Sequence, residues 1–144
     1  MTTYLLDVNV LIALLDRSHV HHEIAHHWFA GLGTDRWATC PITENAVVRI
    51  MSGSGYPNSP GSVLVVARLL QQVIALPGRD FWPDDFSLWQ SSDVNLNRIL
   101  APSQVTDTYL LALARAHEGK LASLDRRIIP DPVRGGSAAL HLIH

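Results

Sequence analysis

Four carboxylates recur in matching settings along this chain of 144 residues: Asp7, Glu44, Asp107 and Asp125. Glu44 is followed at three, four and seven residues by Val47, Val48 and Met51, and Asp107 at the same offsets by Leu110, Leu111 and Ala114. On a helix, each acid therefore heads an apolar stripe. Asp7 closes YLLD and Asp125 closes KLASLD, each at the end of an apolar run of strand length. Brought together, such carboxylates repel, by roughly 1 to 4 kcal/mol for unit charges about 4 Å apart at effective dielectrics from water down to ~20. Either some of them take up protons through raised pKa values, or a hard divalent ion accepts their oxygens, with Mg2+ or Mn2+ the natural choices. A carboxylate-held Mg2+ keeps several waters, one of which can act as nucleophile while the ion stabilises charge on a phosphoryl oxygen. Phosphodiester hydrolysis follows most directly from that chemistry. Asn9, two residues after Asp7, and Thr106, immediately before Asp107, can each add an amide or hydroxyl oxygen to the same rim.

The elements that must position these groups are legible in part. Thr3 to Leu6 reads as a short buried strand, and Val8 to Leu15 as a helix ending near Asp16 and Arg17. Val20, Ile24, Trp28 and Phe29 recur at helical spacing from about His19 to Gly31. Arg36 to Thr39 predicts a strand, and Pro41 opens a helix through Met51. GSGYPNSPG, residues 53 to 61, must be a loop, with a further helix from Ser62 to about Val73. Between Ile74 and Asn97 the pattern is weak: a short strand or two around Phe81 and something helical near Phe86 to Gln90. Thr106 to Glu118 predicts a helix stopped by Gly119, Lys120 to Leu124 a strand, and Ala138 to Ile143 the last strand. Strands alternating with helices imply an α/β fold with a parallel sheet covered on both faces. In such a fold the strand ends and the following helix starts share one side, where ligands bind, so all four acids can meet there.

Composition narrows the class. The length fits a single domain over residues 1 to 144, with 47% hydrophobic and 17% charged residues, which excludes a disordered chain. One cysteine, Cys40, can form neither an internal disulfide nor a thiolate metal cage, and it suits a reducing, cytoplasmic compartment. The apolar run from Tyr4 to Leu15 is too short to span a bilayer and contains Asp7, so neither an anchor nor a signal peptide is expected. A net charge of -2 offers no broad basic field, so any polyanion must be held by a local patch or by metal.

Two other features carry chemistry. In HVHHEIAHH, residues 19 to 27, His22 and His26 share a helix face, as do His19 and His22, but no thiolate is near; surface or partner contacts are expected. Trp82 and Trp89 bracket WPDDFSLW and either stack on bases or cover the core or a protein contact. A rival phosphatase class is weakened, since opening on Asp-x-Asp it needs an acid where Asn9 stands.

The stretches LLDVNVLIALL, PITENAVVRI, VTDTYLLALA and LASLDRR together resemble the signature of PIN-domain ribonucleases, and within them the VapC toxins of bacterial toxin–antitoxin systems. The resemblance covers nearly the whole length. It implies a three-layer α/β/α PIN-like fold with a mainly parallel central sheet, Mg2+- or Mn2+-dependent endoribonuclease activity, homodimer formation and neutralisation by a cognate VapB antitoxin. The family's acidic positions fall on Asp7, Glu44, Asp107 and Asp125, its polar helpers on Asn9 and Thr106. Asp7, Glu44 and Asp107 would hold the principal ion while Asp125 orients a water or assists a second ion. Some members carry a further acid where this chain has Arg127. Arg115, Lys120, Arg126, Arg127 and Arg134 are candidates for phosphate contacts. The non-enzymatic alternative is a PIN-like module that binds RNA or protein without cutting.

Overall fold

The computed structural model describes residues 1–144. Five short strands form one parallel sheet: β1 (Thr3–Leu6), β2 (Arg36–Thr39), β3 (Arg79–Phe81), β4 (Lys120–Ser123) and β5 (Leu140–Leu142), in the order β3-β2-β1-β4-β5. After β1 the chain first builds outward through β2 and β3, then returns to lay β4 and β5 on the other side. The order reverses between β1 and β4, and a crevice opens outside their carboxyl ends.

Both faces are covered, as the buried apolar runs require. Leu6, Trp37 and Ala122 face the helices α1 (Val8–Leu15), α2 (His22–Ala30), α3 (Pro41–Met51) and α4 (Val63–Ile74), packing with Val10, Leu11, Val47 and Val66. Leu5, Ala38 and Leu121 face the other way, toward α5 (Val105–Ala116) and the short α6 (Gly136–Ala139), against Leu110, Leu111 and Leu113. No helix is long and apolar enough to cross a membrane.

Local chemistry sets the ends of these elements. Asp7 caps α1 by accepting from the Val8 N–H, and Ser62 caps α4 by accepting from that of Val65. The 53–61 loop is fastened to the end of α1, where the buried Asp16 carboxylate accepts from Tyr56 Oη and from Asn58 Nδ2 at 2.9 Å. Helix α2 starts at His22 rather than near His19, because the preceding turn is held by side chains: Asp16 Oδ1 accepts from the Ser18 N–H and His19 Nδ1 from the His21 N–H. The final strand is shorter than its apolar run, since Gly136–Ala139 is a helical turn before β5. In the weakly patterned segment, β3 forms around Phe81, followed by 3-10 turns at Leu88–Gln90, Leu96–Arg98 and Pro102–Gln104.

Candidate active site

The rim of the sheet is built around the switch point. Asp7 follows β1 directly, and Asp125 stands two residues beyond β4. Helix α3 begins at this rim because it leaves β2; α5 begins here because it ends where β4 starts. Glu44 and Asp107 therefore both stand in first turns on the same side of the molecule.

Asp7 is buried, 5% exposed, and its carboxylate is shared out completely. Oδ1 accepts from the Val8 N–H at 2.7 Å, and Oδ2 accepts from Ser123 Oγ at 2.7 Å and from Asn9 Nδ2 at 3.3 Å. Burial pushes its pKa upward and the charge on Asp125 adds to this, while the Ser123, Val8 and Asn9 hydrogen bonds oppose it. Asn9 spans the crevice: its amide also donates to Ser123 Oγ at 3.0 Å, and its Oδ1 accepts from the Leu124 N–H at 3.0 Å. Ser123 Oγ accepts in turn from the Asp125 N–H at 3.0 Å. One hydroxyl thus joins the ends of β1 and β4 and two of the acids.

Asp107 is treated differently. It accepts no hydrogen bond from the protein, and burial, followed by the charges of Asp7 and Asp125, raises its pKa to about 6. Asp107 and Asp125 line a polar cleft of about 370 Å3 with Gln104 and Arg127. Asp125 is held below the usual carboxylate range, chiefly by Arg127, whose backbone N–H and Nε–H both donate to Asp125 Oδ1, at 2.9 and 3.0 Å.

Glu44 is engaged by a different set of partners. Its Oε2 accepts from Thr39 Oγ1 at 2.6 Å and lies 3.8 Å from Arg79 Nη1, which also donates to Thr39 at 3.2 Å. No hydrogen bond joins it to another acid. Thr106 is exposed in an apolar groove with Ile42, Trp89 and Tyr109 rather than bonded at the rim. Three groups that the sequence reading passed over do that work: Ser123, Thr39 and Arg79. Only Ser123 left a signal, lying two residues before Asp125 and so on the same side of an extended chain.

The expected phosphate-binding cations divide by position. Arg127 is at the acidic cleft, 91% exposed, and the neighbouring Arg126 is exposed. Arg115 and Lys120 line a separate cleft with Gly135, at the end of α5 and the start of β4, hence at the opposite edge of the sheet. Arg134 borders a third hollow with Asn95 and Arg98. Trp82 is core, stacked on His117 with ring centres 4.4 Å apart, whereas Trp89 is exposed.

Asp7, Asp107 and Asp125 act on one another as charges, and Asp107 has no protein donor to offset them. Carboxylate oxygens of this kind suit a hard divalent cation such as Mg2+ or Mn2+ by donor chemistry, although no three acids of the chain stand close enough together to form a ready-made metal-holding group.

Residues 4–130 match the family model of the PIN domain. The chain is 44% identical over 133 residues to Ribonuclease VapC44 of Mycobacterium tuberculosis, covering 92% of this chain and 93% of the relative. With Ribonuclease VapC39 of the same organism it shares 40% over 123 residues, 85% of this chain and 88% of the relative. In fold it resembles the crystal structure of VapBC2 from Rickettsia felis bound to a DNA fragment from their promoter, with TM-score 0.59, 11% identity and 99% of each chain covered. The chain belongs to the PIN-domain family. Within that family it groups with the VapC proteins.

Proposed function

We propose that the chain is an endoribonuclease toxin of a VapBC system, hydrolysing RNA phosphodiester bonds with Mg2+ or Mn2+ and neutralised by a VapB-type antitoxin. The observation that carries this reading is that Asp7 and Asp125 stand near enough to Asp107 for their charges to add to the effect of burial, raising its pKa to about 6 with no protein donor to offset them. Relatives named as VapC ribonucleases support RNA as the substrate, and the VapBC2 assembly supports an antitoxin partner.

Asp7, Asp107 and Asp125 would hold the cation, and Glu44, engaged by Thr39 and Arg79, would act from further out. When bound, such a cation supplies stabilisation of charge on a phosphoryl oxygen and lowers the pKa of water. The chain's own residues do the rest. Ser123 and Asn9 fix the Asp7 carboxylate, Arg127 orients Asp125, and the exposed Arg127 guanidinium supplies a charge for a backbone phosphate. Water attack in line with the departing oxygen leaves 5′-phosphate and 3′-hydroxyl ends. The antitoxin would act by inserting an Arg-bearing segment into the acidic cleft. The reading includes a homodimer working in the cytoplasm.

The test is incubation of the purified chain with total cellular RNA, with Mg2+, with Mn2+ or with chelator, beside Asp7→Ala, followed by mapping of the cut ends. Cleavage is expected only with the divalent ion and only in the unsubstituted protein. RNA binding without cleavage under every condition would instead identify a non-catalytic PIN-like module.

A further inference from the structure

We propose that His22 and His26 on α2 form a second metal site, separate from the acidic rim and selective for a borderline transition ion such as Zn2+ or Ni2+. His22 Nδ1 lies 2.7 Å from the Ala13 carbonyl oxygen. A carbonyl only accepts, so Nδ1 carries the proton and the neutral ring presents its lone pair at Nε2. A histidine anchored to a backbone carbonyl through one nitrogen is the arrangement that orients metal-binding imidazoles. His26 follows one helical turn later, its ring centre 5.7 Å from that of His22 and its plane inclined by 32°. Two imidazoles sharing a tetrahedral ion at ~2.0–2.1 Å have ring centres roughly 5 to 6 Å apart, so little movement is needed.

The same geometry rejects the other histidine pair on this stretch. His19 Nδ1 accepts from the His21 N–H at 3.0 Å, which uses its lone pair and leaves the proton on Nε2. Imidazole nitrogens favour zinc, nickel and copper over magnesium, whereas the acidic rim offers only oxygens, so the two sites divide cations by softness. No third His, Cys, Asp or Glu completes a cluster here. Water, or the same two histidines of a second copy, would fill the remaining positions. The hydrogen bond from His22 to Ala13 already ties the first turn of α2 to α1, and an ion held by the pair would add a link from His22 to His26 one turn further along α2.

The experiment is a calorimetric titration of ZnCl2 into the full chain in excess Mg2+, repeated with Asp107→Asn so that zinc at the acidic rim is not counted. His26 is exposed and makes no hydrogen bond, so His26→Ala is the decisive variant; His22→Ala and the control His27→Ala accompany it. The expected result is saturable zinc binding that weakens at least tenfold in His26→Ala and His22→Ala and is unchanged in His27→Ala, with zinc raising the melting temperature of the unsubstituted chain. A stoichiometry of one ion per two chains supports the pair equally, with each copy supplying two ligands. Affinity within about twofold of the unsubstituted chain in His26→Ala, or an equal loss in His27→Ala, would overturn the proposal.

Discussion

Asp107 receives no hydrogen bond while two other carboxylates act on it, so its charge is held in the fold at a cost. Its folded pKa of about 6 lies above the ordinary carboxylate value of 3.8, so the folded protein binds more protons than the unfolded chain between those values. Stability from this group is therefore present in acid and lost as pH rises through about 6. In metal-free protein near pH 7.5, Asp107→Asn is expected to raise unfolding free energy by on the order of 1 kcal/mol, the shift being discounted for solvent exposure. That gain should shrink toward zero near pH 4, which urea denaturation at both pH values would read. RNA cleavage by the same variant should fall at least 100-fold, a stability gained at the expense of activity. Ser123→Ala acts oppositely. It removes a donor to the buried Asp7 and the acceptor of the Asp125 N–H, so about 1–3 kcal/mol of stability should be lost along with cleavage.

At the scale of elements, α5 and β4 are joined through a contact that admits no side chain. Glu118 takes the left-handed conformation that ends the helix, with φ 57°, and Gly119 follows with negative φ. A Cβ on Gly119 would meet the Thr3 carbonyl oxygen at 2.5 Å and Trp82 at 2.8 Å. The glycine is thus required by close approach of β1 and the core rather than by backbone freedom. Gly119→Ala should destabilise by about 1–3 kcal/mol or more through overpacking, measured as a lowered urea midpoint. Since α5 carries Asp107 at its far end, cleavage should fall beyond what the stability loss explains.

The whole molecule depends on a central strand that serves both cores. Leu5 and Leu6 are each fully buried, one facing α5 and α6, the other facing α1 to α4. Leu5→Ala is expected to cost about 2–5 kcal/mol. Because β1 pairs with both β2 and β4, the loss should appear as one cooperative transition of lower midpoint in calorimetry rather than as local loosening. The same centrality explains the site: β1 and β4 are paired neighbours whose connections leave in opposite directions at the switch point, so Asp7, Asn9 and Ser123 at their adjacent ends can bond to one another.

Much of this was open to reading in the chain itself. Period-2 and period-3.6 apolar patterns identify β1, β2, α3, α5 and β4, because burial on the two faces of a parallel sheet leaves few other solutions. The same patterns make Asp7 and the acids heading α3 and α5 conspicuous, since a carboxylate beside buried leucines needs a reason. Where α2 begins was not legible, because Asp16 and His19 bond the preceding turn through side chains whose geometry no periodicity encodes. The partners of each acid were decided only by tertiary structure. Ser123 and Asp7 are 116 residues apart, and Arg79 reaches Glu44 from an edge strand whose own pattern is weak. Burial patterning is a local property of sequence, whereas a hydrogen bond across strands depends on register and rotamer, which exist only once the sheet has assembled.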